Sequence, residues 1–193
     1  LKISKIRGNI DNKNYIEKIK NLKNLPQGIE NSLKTEELIQ IFAKDFLSAK
    51  GSMFLGRGSS FPIALEGALK LKELSYLHAE GYPAGEMKHG PLALIEDGLP
   101  VIILAPKDKY FEKTISNMQE VIARGGKVLL ISDKHDELIN ENIRFKSEMP
   151  VVDELLNPFL LTIPLQLLAY HVALLKKCDI DKPRNLAKSV TVE

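Results

Sequence analysis

Three observations predict an α/β fold, a three-layer α/β/α sandwich with a mostly parallel sheet. LPVIILAP at 99–106 is a continuous apolar run, as a strand covered on both faces requires. Similar runs, SMFLGRG at 52–58 and KVLLISD at 127–133, alternate with helical stretches, which implies right-handed crossovers between parallel strands. The chain has 193 residues, about one domain's worth and enough for a sizeable core.

Taken in order, LKISKIRGNIDNKN is polar and expected to be a loop. NYIEKIKNLKNLPQGIENSLK has apolar residues at roughly helical spacing, interrupted by Pro26 and Gly28, and reads as two short helices. TEELIQIFAKDFLSAK is a cleaner helix: Thr35 suits the N-cap, Glu36 and Glu37 the first turn, and Leu38, Ile41, Phe42 and Phe46 make one face. After the first strand comes the turn Gly56-Arg57-Gly58-Ser59-Ser60. A dinucleotide fingerprint would need a third glycine where Phe61 stands, and a P-loop would need Gly-Lys-Ser/Thr. The turn therefore reads as a tight strand-to-helix junction with Ser59 or Ser60 capping and Pro62 in the first helical turn, although a helix N-terminus can receive an anion.

The stretch Leu65 to Pro91, LEGALKLKELSYLHAEGYPAGEMKHGP, begins as a helix and ends in a glycine-rich loop. Glu66, Lys70 and Glu73 stand at i, i+4 and i+7, within roughly 60° of one another on one helical face. Ile63 and Leu74 border this stripe on one side, Leu69 and Tyr76 on the other, and Leu77 lies within it. The far side carries Ala64, Ala68, Leu71 and Ser75, with Lys72 the other charge. A narrow charged seam in a largely apolar helix points to a cleft, where charged groups tend to be functional. The plainer reading is a surface ion pair, Glu66 to Lys70, worth about 0.3 kcal/mol.

Next, a helix is expected from about Lys109 to Arg124, stopped by Gly125 and Gly126, and IRFKSEM at 143–149 is a weaker strand near a sheet edge. In NPFLLTIPLQLLAYHVALLKK, Asn157 is the expected cap and Pro158 the first helical residue. Its apolar stretch, Phe159 to Leu175, is short for a membrane span and carries Gln166, His171 and Pro164, so a buried core helix kinked at Pro164 is expected, with His171 a core or boundary histidine. The tail DIDKPRNLAKSVTVE is polar, contains Pro183 and reads as irregular. Val190 and Val192 give it a mild apolar pattern that could dock, and Lys188 is by default a solvated lysine.

Composition is that of an ordinary globular protein. The net charge of +2, with acids and bases interspersed, leaves no nucleic-acid footprint. The single Cys178 excludes an internal disulfide and fits a reducing compartment, so a cytoplasmic location is expected; the thiol is assigned no role. His78, His89, His135 and His171 lack the clustered spacing of a metal site. The opening is not signal-like, and a first residue of Leu1 rather than Met suggests a piece of a longer chain.

The run GRGSSFPIALEGALKLKELSYLHAEGYPAGEMKHGPLAL and the ending QLLAYHVALLKKCDIDKPRNLAKSVTVE closely resemble the C-terminal part of the glucosamine-6-phosphate synthase family, the isomerizing glutamine–fructose-6-phosphate aminotransferases. In that family two sugar-isomerase (SIS) domains in tandem follow a glutaminase domain. The resemblance, from about Thr35 to Glu193, implies a helical extension at 1–34, the second SIS domain at 35–178 with the SIS fold, and a tail at 179–193 that contributes to the active site. It implies that Glu73 is the base that moves a proton between C1 and C2 of the opened sugar. By the same match, His89, in GEMKHGP, serves ring opening across a homodimer interface, Lys188 forms a Schiff base with the ketose, and Glu66 and Lys70 support proton movement. The implied ligands are fructose 6-phosphate and glucosamine 6-phosphate, with no metal or organic cofactor, no membrane and no nucleic acid. These residue types suit that chemistry: a carboxylate to take a carbon-bound proton, a histidine titrating near neutrality, and a lysine amine for an imine. A flexible tail lysine could swing over the sugar and exclude water.

The chain departs from the family pattern in two respects. The family's Ser/Thr-rich phosphate grip lies in the first SIS domain, of which GRGSS is only the positional analogue. The glutaminase half, with its catalytic cysteine, is also lacking, and Cys178 cannot replace it. The chain alone is therefore expected to be inactive or nearly so. A non-catalytic phosphosugar-binding module and an oligomerisation unit remain alternatives; Glu73, His89 and Lys188, which mere binding would not need, discriminate against them.

Overall fold

The computed structural model describes residues 1–133 and 145–186. Its strands are β1 (Gly51–Gly56), β2 (His78–Pro83), β3 (Pro100–Leu104), β4 (Lys127–Ser132) and β5 (Phe145–Glu148). They form one sheet in the order β2-β1-β3-β4-β5, parallel at every pairing. The parallel sheet is as expected, and β5, the weak strand, is at an edge.

The other edge differs from the sequence reading. A glycine-rich loop was the expectation where β2 lies, in register with β1 from Gly51↔His78 to Gly56↔Pro83. HAEGYP is short and polar, so it shows no apolar run. Its signal is an alternation of period two, with His78, Glu80 and Tyr82 on one face and Ala79 and Gly81 on the other. Gly81 is small for a reason: a Cβ there would come within 3.0 Å of the Leu65 backbone.

Side-chain alternation sends neighbouring strand residues into two cores. Phe54, Ile102, Leu104, Leu129 and Ile131 pack under α4 (Glu36–Ala43), α5 (Ser60–Ser75) and α7 (Asn157–Leu175). Met53, Leu55, Val101, Ile103 and Leu130 pack on the opposite face, under α6 (Phe111–Ile122) and the 3-10 segment Ala84–His89. The three layers are complete. α5 is wedged between α7 and the sheet at Gly67, where a Cβ would stand 2.7 Å from Leu165 and 3.0 Å from the Phe54 ring.

Before α4 lie α1 (Lys2–Ile6), α2 (Asn12–Lys23) and α3 (Leu25–Leu33). The first fourteen residues are thus not a loop. Asp11 caps α2 by accepting from the Asn14 N–H at 2.8 Å. α2 and α3 are the two short helices expected, with Pro26 in the first turn of α3 and Gly28 packed against Leu160. On α4 the buried face is Ile39, Phe42 and Ala43, continued by Phe46, whereas Ile41 is exposed. The four buried residues are spaced i, i+3, i+4 and i+7, a regular helical face turned from the expected one: Ile39 and Ala43 are on it, where Leu38 and Ile41 were expected. The Thr35 hydroxyl donates to the Ser32 carbonyl at 2.8 Å instead of capping.

α6 lies within the expected 109–124, followed by Gly125 at φ 82°. Asn157 does not cap α7. It is the first helical residue and is buried, while Asp153 caps the preceding 3-10 turn Glu154–Leu156 through the Leu155 N–H at 3.0 Å. Glu154–Leu175 is, by length and composition, long and apolar enough to cross a membrane, contrary to the sequence estimate. Its apolarity has another use here: Leu161, Leu165, Leu168 and Val172 are buried in the first core. His171 is also buried, as expected, with Nε2 3.0 Å from Glu36 Oε1.

Candidate active site

α5 presents the charged seam on the side away from its buried Ala64, Ala68 and Leu71. Lys70 Nζ lies 2.6 Å from Glu73 Oε2 and 3.8 Å from Glu66 Oε1, so the tight pair is i,i+3 rather than the i,i+4 pair favoured by spacing. The side chains of Glu66, Lys70 and Glu73 are 41%, 33% and 26% accessible. They are open to a ligand yet bordered by the exposed Leu65 and Leu69. The hydrogen bond to Glu73, against some desolvation and with help from both carboxylates, raises the Lys70 pKa above its ordinary value. At neutral pH Lys70 is therefore an ammonium ion, suited to stabilising negative charge beside Glu73 rather than to acting as a base.

The seam ends sooner than the periodicity implies. Tyr76 turns left-handed at φ 60°, so it and Leu77 are off the helix, and Leu77 enters the first core. At the other end of α5, neither Ser59 nor Ser60 caps with its side chain, and the Ser60 hydroxyl is buried without a partner among the described residues. The turn is closed by backbone bonds from Ser60 N to Arg57 O (3.1 Å) and from Phe61 N to Gly58 O (3.2 Å). Arg57 extends towards Asn117 (3.3 Å).

His89 ends the Ala84–His89 segment, its side chain 75% accessible and its Nε2 3.9 Å from Glu86 Oε2. That segment packs through Ala84 and Met87 into the core on the far side of the sheet from α5. The fold brings Glu66, Lys70 and Glu73 together but places His89 in the opposite layer. Lys188, Val190, Val192 and His135 lie outside the described residues. Cys178 is a free thiol whose Sγ is 3.9 Å from the Ser75 carbonyl.

Two features escaped the sequence reading. On β2, His78 Nε2 lies 3.3 Å from Glu80 Oε1, and the Tyr82 hydroxyl bonds the other Glu80 oxygen, which raises the Tyr82 pKa with burial assisting. The period-two pattern could have found that cluster. The second is a contact across 108 positions: the Arg184 backbone N–H donates to the Tyr76 hydroxyl at 2.8 Å. Nothing in the sequence signals it.

Comparison with known proteins matches residues 45–176 to the SIS domain family. The chain is 48% identical, over all its length, to a glutamine–fructose-6-phosphate aminotransferase (isomerizing) of Bartonella quintana. It is 50% identical, again over all its length, to one of Salmonella typhi. It spans about a third of the length of these relatives, 32% and 31% respectively. The C-terminal domain of glucosamine-fructose-6-phosphate aminotransferase from Francisella tularensis superposes with a TM-score of 0.89 at 42% identity, covering 93% of this chain and 51% of that one. A glucosamine-6-phosphate deaminase from Thermotoga maritima gives 0.70 at 28% identity, covering 98% and 52%.

Proposed function

The chain belongs to the SIS domain family, and on that premise we propose that it works as the C-terminal part of the isomerase region of a cytoplasmic glutamine–fructose-6-phosphate aminotransferase (isomerizing). The observation that carries the reading is the Glu66–Lys70–Glu73 seam, standing open on α5 in a chain about half identical to such enzymes. The substrate is fructose 6-phosphate and the product glucosamine 6-phosphate. Opening of the sugar ring needs an acid–base group near neutrality, the role of His89. The Lys188 amine adds to the C2 carbonyl and water leaves, giving an imine; ammonia released from glutamine by the glutaminase domain of the parent enzyme then takes the place of the Lys188 nitrogen at C2, and the lysine leaves as a free amine. Glu73 takes a proton from C1 and returns it to C2, while the Lys70 ammonium offsets the charge that develops beside it. Glu66 shares that ammonium and keeps the array oriented. The chemistry as written calls for no metal or organic cofactor.

His89 and the seam occupy opposite layers. This supports a site built from the seam of one protomer and the His89 loop of another, in a homodimer.

The test is a chimera in which this chain replaces the matched third of the Salmonella typhi relative. The chain alone is expected to make glucosamine 6-phosphate at a negligible rate, and the chimera at a rate near that of the intact relative. A chimera that folds and dimerises yet stays inactive would refute the assignment.

A further inference from the structure

The Ala84–His89 segment is fastened well before it reaches His89. The register Gly56↔Pro83 sets the residues that follow β1 and β2 side by side at the carboxyl end of the sheet. Arg57 leaves β1 there, and Ala84 and Gly85 leave β2. Gly85 stands against the Arg57 guanidinium, so close that a Cβ would be 2.9 Å from Nη2 and 3.1 Å from Cζ. Asn117, buried on α6, reaches the same place. Its side-chain amide donates to the Ala84 carbonyl at 3.1 Å and to the Lys113 carbonyl at 3.0 Å. The same amide stands 3.3 Å from Arg57 Nη1. The Tyr110 ring flanks the guanidinium, its centroid 5.9 Å away. Further along α6, Glu120 Oε1 lies 3.1 Å from Lys88 Nζ.

These residue types suit their places. A carboxamide offers N–H groups to two carbonyls and an oxygen to a guanidinium, which neither a carboxylate nor an apolar side chain of that size can do. A buried carbonyl deprived of its donor is costly, so the contact is one the segment resists giving up. His89 has far less to hold it. Its ring is largely exposed, with Glu86 Oε2 3.9 Å from Nε2. Its position therefore follows from the backbone that carries it.

We infer that Asn117 and Arg57 are positioning residues: together they clamp the start of the Ala84–His89 segment, so that His89 is presented in a fixed place to the seam of the neighbouring protomer. The inference rests on the reading that His89 serves a site shared between protomers.

The clamp is tested on the chain itself by hydrogen exchange. Asn117→Ala should lower protection of the 84–89 amides at least tenfold and leave the amides of β1 and β3 unchanged. Arg57→Met, which removes no buried amide, should loosen the same residues. Unchanged protection in either folded variant, or a loss spread equally through β1 and β3, overturns the clamp.

Its purpose is tested on the chimera. Asn117→Ala should lower kcat at least tenfold, and an unaltered kcat despite a loosened segment overturns the positioning role. The variant should also behave as a defect of His89. Co-expressed with Glu73→Gln it should recover about a quarter of the parent activity, because each mixed dimer keeps one intact site. Co-expressed with His89→Ala it should recover none, because both sites of the mixed dimer are then damaged. A merely structural defect would not sort its partners in this way, and any other pattern overturns the role. Failure of Glu73→Gln and His89→Ala to restore one another would instead count against the shared site, and the exchange and kcat results would still decide the clamp.

Discussion

Lys70 has a pair of carboxylates to choose from and bonds the nearer in space, Glu73. Because that bond raises the Lys70 pKa, its stabilising contribution is fully present below the unfolded value of about 10.4 and is lost as pH rises through the higher folded value. Glu73→Gln removes the largest cause of the shift. A lysine Nζ titration followed by NMR should show the Lys70 midpoint falling towards its ordinary value, and no movement would mean that the bond does not persist in solution. The three seam residues were legible because i, i+4 and i+7 need only a regular helix. Tyr76 was not, because a left-handed helix end is announced in sequence by glycine, and here the strain is held by a tail 108 residues away.

α5 owes its place to a missing side chain. Gly67 admits Leu165 and Phe54 so closely that a Cβ would overlap both. Helix propensity alone would favour Gly67→Ala by about 1 kcal/mol, whereas overpacking costs about 1–3 kcal/mol. The second effect should win, and urea denaturation should show net destabilisation; a stabilised variant would mean that α5 is less tightly wedged. Among the elements, β1, β3, β4, α6 and α7 were readable because their apolar runs are long and their ends carry glycine or proline. β2 was not: at a sheet edge it needs partners on one side only, so a polar strand with small residues under α5 suffices. The buried face of α4 keeps the 3.6 period through Ile39, Phe42, Ala43 and Phe46; it was misjudged because Leu38 and Ile41 offer a second apolar set turned round the same axis, and apolarity alone does not choose between them.

At the scale of the molecule, the sheet is a partition. α4, α5 and α7 cover one face and carry the seam; α6 and the Ala84–His89 segment cover the other and carry His89. Alternation along the strands made two cores foreseeable. It could not show which layer each loop joins, since that follows from how the segments after β1 and β2 cross the sheet. If the seam transfers the proton and His89 opens the ring, as proposed, their placement in opposite layers is most simply reconciled by a second copy of the chain. The direct measurement is glucosamine 6-phosphate production by chimeras co-expressed as Glu73→Gln and His89→Ala variants. Each variant alone should be at least 100-fold impaired. Together, half the dimers would be mixed and each mixed dimer would hold one intact site, restoring about a quarter of the parent activity. Activity no greater than the sum of the two inactive variants, in dimers shown to be mixed, would contradict a site shared between protomers.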